Sequence, residues 1–202
     1  MTPGHPVGRR PGPLAAGVPG GQPPGLLTDG DPVHRAVLAL GSNLGDSYEI
    51  LQAAVDTLVD APGIELVAVS PVYETTPVGG PPGQESYLNA VVLVDTALSA
   101  RSLLERCLAV EQAYGRRRAE RWGPRTLDID VITYDDETTA DPTLTLPHPR
   151  AHERPFVLVP WLAVDADATL PGFGRVADLP AAATRDGVAR RNDLPLSVPA
   201  AR

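Results

Sequence analysis

The residues with the clearest chemical potential are Asp128 and Asp130, separated by Ile129 in an otherwise apolar run from Thr126 to Tyr134. On a strand, side chains two apart share a face, with Cα atoms about 6.5–7 Å apart. Leu127, Ile129 and Val131 then take the opposite face, so one side can be buried while both carboxylates project from the other. Paired carboxylates repel unless a cation lies between them. Magnesium accepts a few carboxylates together with phosphate oxygens and water, which suits a metal–nucleotide complex. A bare Asp-x-Asp is more often a solvated strand end, so its neighbours must decide. Five arginines (116, 117, 118, 121 and 125) fall in the ten residues from Arg116 to Arg125 immediately upstream. Guanidinium forks match phosphate oxygens with paired hydrogen bonds and stay charged at any working pH. A charge run alone is usually a solvated face. Beside two carboxylates it reads as a polyphosphate clamp, and phosphoryl transfer needs mainly positioning and charge neutralisation.

Other residues could complete such a site. Glu111 falls on the apolar stripe of a helix, where a carboxylate requires a partner; an arginine after Gly115 or an active-site role would each supply one. Tyr87 and Asn89 share parity on a strand, and Phe156 lies downstream of His148. Aromatic faces can sandwich a flat heterocycle and an amide can read its edge, although either ring taken singly is equally well core packing. His148 and His152, four apart, do not make a transition-metal site: Pro149 intervenes and no cysteine or third histidine is near. Phosphate contact by His148 and Arg154 is the better reading. No residue stands out as a general base.

The elements that would position these groups are legible from periodicity. Arg35 to Leu40 reads as a strand ending at Gly41-Ser42-Asn43. A helix follows from about Asp46, with Leu44, Tyr48, Leu51, Val55 and Leu58 on one face, and stops at Pro62-Gly63. Ile64 to Glu74 and Leu88 to Val94 are strand-like. A second helix runs from Ser99, a plausible N-cap, to Gly115, and the acidic strand follows. The expected fold is α+β: a ferredoxin-like βαββαβ core, an antiparallel sheet with helices packed on it, three layers α/β/α overall. Residues 1–32, rich in glycine and proline, are expected to be a disordered extension. Residues 33–175 form the working domain, and 176–202 a weakly structured tail.

Composition sets outer bounds. The chain has 202 residues, 43% of them apolar and 21% charged, with a net charge of −8. That balance opposes general nucleic-acid affinity and fits a soluble globular protein. No apolar run spans a membrane, no secretory signal is evident, and the lone Cys107 suits a reducing compartment; the cytoplasm is expected. All 17 cationic side chains are arginine. Without lysine there can be no Schiff base and no P-loop.

Several segments together resemble the 6-hydroxymethyl-7,8-dihydropterin pyrophosphokinase family of folate biosynthesis. They are Leu40-Gly41-Ser42-Asn43-Leu44-Gly45, Ser70 to Pro77, Tyr87-Leu88-Asn89-Ala90, Gly115 to Arg118, Arg121 to Asp130 and Leu146-Pro147-His148-Pro149. The resemblance implies transfer of the β,γ-diphosphate of ATP to the pterin hydroxymethyl group, releasing AMP, with two magnesium ions. It implies that Asp128 and Asp130 are the metal ligands. Arg116 and Arg118 would be mobile-loop arginines closing over the phosphates, with Arg125, His148 and Arg154 as further phosphate contacts. Glu111, Val131 and Thr145 would lie near the nucleotide. Tyr87 and Phe156 would stack on the pterin, with Thr75, Val78 and Asn89 beside it. The partners implied are these two small molecules, with no nucleic acid or membrane, and a monomer. The alternatives are a metal-dependent nuclease or nucleotidyl transferase using the same carboxylates, and an RNA-binding ferredoxin-like module, which the acidic charge opposes.

Overall fold

The computed structural model describes residues 32–60, 62–77, 79, 81–115 and 124–198. Strand β1 (His34–Ser42) leads to helix α1 (Ser47–Val59), then β2 (Ile64–Val69), β3 (Val72–Thr75) and β4 (Tyr87–Thr96). Helix α2 (Ala100–Ala113) and β5 (Asp128–Tyr134) complete the expected order. A hairpin of β6 (Thr139–Asp141) and β7 (Leu144–Leu146) follows, then α3 (Pro155–Leu162), β8 (Thr169–Leu170), β9 (Gly174–Arg175), α4 (Pro180–Ala183) and β10 (Val188–Arg191). The main sheet runs β10-β3-β4-β1-β5, with β2 also on β4, and each pairing is antiparallel. Counting β2 and β3 as one interrupted strand, this is the ferredoxin-like arrangement.

Both faces of β1 are covered, which makes the molecule three-layered. Ala36, Leu38 and Leu40 pack with Leu51, Val55 and Leu58 of α1 and Leu103, Cys107 and Val110 of α2. Val37, one residue out of phase, packs on the other face with Val157, Leu158 and Trp161 of α3. The period of two along the strand thus sends alternate residues into two separate cores. Asp46 caps α1 by accepting from the Glu49 amide, and Ser99 caps α2 through the Ser102 amide. Gly115, with φ +75°, ends α2 in the left-handed conformation that glycine adopts without strain.

The structure differs from expectation in three places. The strand expected over 64–74 breaks at Ser70-Pro71: Pro71 has no amide to donate, and the Ser70 hydroxyl instead accepts from the Val91 amide at 2.9 Å. The tail is not weakly structured throughout. Its β10 joins β3, so the sheet continues past residue 175; four residues carry too little hydrophobic period to announce a strand whose stability comes from a non-local partner. Helix α3 has no amphipathic period because Phe156 to Leu162 is almost wholly apolar; its first residue, Pro155, is compatible with a helix start. Residues 1–31 of the expected extension, Val78, Arg116 and Arg118 lie outside the described residues.

Candidate active site

The aspartates fall where the alternation of β5 puts them. Ile129 and Val131 are buried in the α1/α2 core, as is Leu127 just before the strand. Asp128 and Asp130 face the other layer and are only partly covered. They line a solvent-open cleft together with Arg125, Arg154, Phe156, Tyr87, Asn89 and Thr75. Eight residues singled out from sequence therefore converge on one cavity, drawn from β3, β4, β5 with the segment just before it, and the start of α3.

At one end of the cleft charge dominates. Arg125 pairs with Asp128, and Arg154 Nη1 lies 2.9 Å from Asp130 Oδ2. His148 Nε2 lies 3.7 Å from the same oxygen. Burial pushes the His148 imidazole below its ordinary value; Asp130 opposes that shift and Arg154 adds to it. The ring is therefore neutral near pH 7 and can both donate and accept a hydrogen bond. Arg154 also stands over the Phe156 ring, its guanidinium carbon 5.5 Å from the centroid. The rest of the lining includes aromatic and amide groups. Asn89 Nδ2 donates to Thr75 Oγ1 at 2.6 Å, and Tyr87 and Phe156 supply aromatic faces. Burial raises the Tyr87 phenol, with Arg125 opposing and Asp128 adding a smaller upward push, so it stays protonated.

His148 meets the cleft through Asp130 without lining it, and three further residues named from sequence stand apart from the lining. Glu111 is 2% exposed within α2, and its Oε1 accepts the Ile129 amide at 2.7 Å. That amide lies between the two aspartates, on the β5 edge away from β1. Val131 is buried in the α1/α2 core, and the Thr145 hydroxyl of β7 donates to the Asp141 carbonyl at 3.1 Å. Two positioning residues were not foreseen individually. Asn43, 2% exposed, accepts the Arg125 amide at 2.8 Å and donates to the Glu85 carbonyl at 3.1 Å. It thereby links the residue that meets Asp128 to the segment leading into Tyr87. A Cβ on Gly41 would lie 2.9 Å from Asn89 Oδ1, so only glycine lets that amide sit against β1. The Gly41-Ser42-Asn43 strand end was a usable signal, but its cross-chain partners were not visible in one dimension.

The donor set fits a divalent cation bound with a polyphosphate. Two half-buried carboxylates share one strand face, and no cluster of three or more His, Cys, Asp or Glu suited to a metal occurs among the described residues. The remaining coordination would fall to phosphate oxygens and water, as magnesium prefers.

The family model described as 7,8-dihydro-6-hydroxymethylpterin-pyrophosphokinase matches residues 37–166. A 2-amino-4-hydroxy-6-hydroxymethyldihydropteridine pyrophosphokinase of Methylorubrum extorquens is 47% identical over 138 residues, covering 68% of this chain and 87% of the relative. The enzyme of that name from Mycobacterium leprae is 51% identical over 152 residues, covering 70% and 77%. Among solved structures, a Plasmodium falciparum HPPK-DHPS superposes with a TM-score of 0.59 at 14% identity, over 75% of this chain and 46% of that one. This chain spans less than half of that longer protein, and the likeness carries the fold alone. Fold and relatives together define an ATP-dependent diphosphotransferase on a ferredoxin-like scaffold. The chain belongs to the 7,8-dihydro-6-hydroxymethylpterin-pyrophosphokinase family.

Proposed function

We infer that this chain transfers diphosphate from ATP to 6-hydroxymethyl-7,8-dihydropterin, giving the pterin diphosphate and AMP in folate biosynthesis. The observation that carries the reading is the cleft itself, which brings two carboxylates and two arginines beside an aromatic, amide-bearing wall. The flat heterocycle would lie between Tyr87 and Phe156, its polar edge read by Asn89 and Thr75, with Val78 beside it by the family resemblance. The hydroxymethyl oxygen would then point towards the charged end. It attacks the β-phosphorus in line, and the bond from that phosphorus to the α,β-bridging oxygen breaks as AMP leaves.

Asp128 and Asp130 would hold the divalent cation, two magnesium ions by the resemblance. When bound, the cation supplies Lewis-acid neutralisation of phosphate charge. Arg125 and Arg154, each already paired with an aspartate, would share their forks with phosphate oxygens. His148, neutral and adjacent to Asp130, would donate to the same polyphosphate. Arg116 and Arg118 would add guanidiniums from the segment between α2 and β5. Glu111 would act on the nucleotide end by fixing β5, while Val131 of β5 and Thr145 of β7 would lie near the adenine by the family resemblance. We further propose that the enzyme works as a cytoplasmic monomer; no helix among the described residues is long and apolar enough to cross a membrane. Incubation with ATP, magnesium and the pterin alcohol, followed by mass spectrometry, should show the pterin diphosphate and stoichiometric AMP. ADP with a pterin monophosphate, or no pterin product, would overturn the reading.

A further inference from the structure

The family match ends at residue 166, yet the segment 187–191 reaches the wall of the cleft. The Gly187 carbonyl accepts the Thr76 amide at 3.0 Å. Beyond it, Val188 is paired with Thr75, Ala189 with Glu74 and Arg190 with Tyr73. Arg191 bridges outward and inward: Nη1 lies 2.7 Å from Glu74 Oε2 and Nη2 lies 2.7 Å from Asp193 Oδ2. Arg191 holds the Asp193 carboxyl down at about 2, so that local pair stays ionised at working pH.

On its other edge β3 pairs with β4, Thr75 opposite Tyr87 and Tyr73 opposite Asn89. The short strand that carries Thr75 into the cleft is therefore held on both sides. The chain after β10 is anchored independently of β3. The Tyr48 hydroxyl of α1 donates to the Pro195 carbonyl at 2.7 Å, the Ser197 amide donates to Gln52 Oε1 at 2.7 Å, and Leu196 packs against the α1/α2 core. Gly187 is the tightest point of the junction. Its φ is +67°, and a Cβ there would lie 3.1 Å from Thr76 Oγ1 and 3.3 Å from Thr76 Cβ. Thr75 and Thr76 both line the cleft, and the Thr75 hydroxyl accepts from Asn89.

We propose that segment 187–191 is a positioning element for the pterin end of the cleft, holding Thr75 and Thr76 against Tyr87 and Asn89 while leaving the nucleotide end alone. This rests on the assignment of that end to the pterin. The aspartates of the charged end stand on β5, separated from β10 by β3, β4 and β1, whereas Thr75 stands on the strand that β10 pairs with. Loosening β10 should therefore weaken one ligand and spare the other.

The test uses the full chain with Gly187→Val, Arg191→Ala and Arg191→Lys. Each is titrated with a non-hydrolysable ATP analogue plus magnesium, then with 6-hydroxymethylpterin in the presence of that complex. Exchange of the Thr76 amide is followed by NMR. Gly187→Val and Arg191→Ala should bind the pterin roughly tenfold more weakly, the size of one disturbed hydrogen bond. Nucleotide affinity should stay within about twofold, Thr76 should exchange faster, and Arg191→Lys should recover most of the loss. Should Gly187→Val not fold, the Arg191 pair decides. Equal weakening of both ligands, or unchanged pterin binding in the folded variants, would overturn the proposal. A parent chain that binds nucleotide but no pterin would instead overturn the assignment of the cleft, before any variant is compared.

Discussion

Glu111→Ala is the substitution whose cost follows most directly from the structure. The carboxylate is buried at 2% exposure and accepts the Ile129 amide at 2.7 Å. Removing it strands an amide on a strand edge where water has little access. An unpaired buried donor costs about 1–3 kcal/mol, and truncating the packed side chain adds roughly 1 kcal/mol. The expected loss is about 2–4 kcal/mol, a large part of the ~5–15 kcal/mol by which domains are stable. Glu111→Gln keeps an oxygen acceptor in place and should lose less than about 1.5 kcal/mol. Urea unfolding of the two variants beside the parent, with m-values compared, measures both. If alanine costs under about 0.5 kcal/mol, or glutamine costs as much as alanine, the Ile129 amide is not what the carboxylate secures.

Two further outcomes follow from local geometry. Gly41→Ala should lower kcat/KM for the pterin roughly tenfold with little change in nucleotide binding, because the new methyl would lie 2.9 Å from Asn89 Oδ1; wild-type kinetics would refute that contact. Cys107 should resist thiol reagents at pH 8 until the protein unfolds. Burial first, and then the nearby Glu111 and Asp130 charges, push its thiol far above the ordinary value. Since the folded-state value is raised, stability should fall as pH climbs past about 8.5, where the unfolded chain forms thiolate. Rapid labelling of the native protein would contradict the burial.

The two helices flanking β1 were readable because capping residues and an apolar stripe coincide at Asp46, Ser99, Leu51, Val55, Leu103 and Cys107. The aspartate face was readable for the same kind of reason, since a period of two leaves no choice about which side Ile129 takes. What escaped the sequence reading depends on distant partners. Asn43 is important only because Arg125 and Glu85 come to it, and β10 is a strand only because β3 offers an edge. Glu111 was recognised as anomalous on an apolar stripe, but its acceptor role required knowing which edge of β5 faced α2. Helix α3 combines two prolines with a run that lacks any polar face, so neither period nor propensity marks it.

The central claim is that Asp128 and Asp130 bring a divalent cation and the polyphosphate of ATP into one cleft. Calorimetric titration of a non-hydrolysable ATP analogue, with and without magnesium, into the parent chain and into Asp128→Asn and Asp130→Asn tests it without relying on turnover. The account predicts that magnesium tightens binding to the parent by at least about tenfold and that either substitution removes most of that gain. Variants that keep the full magnesium effect would contradict it.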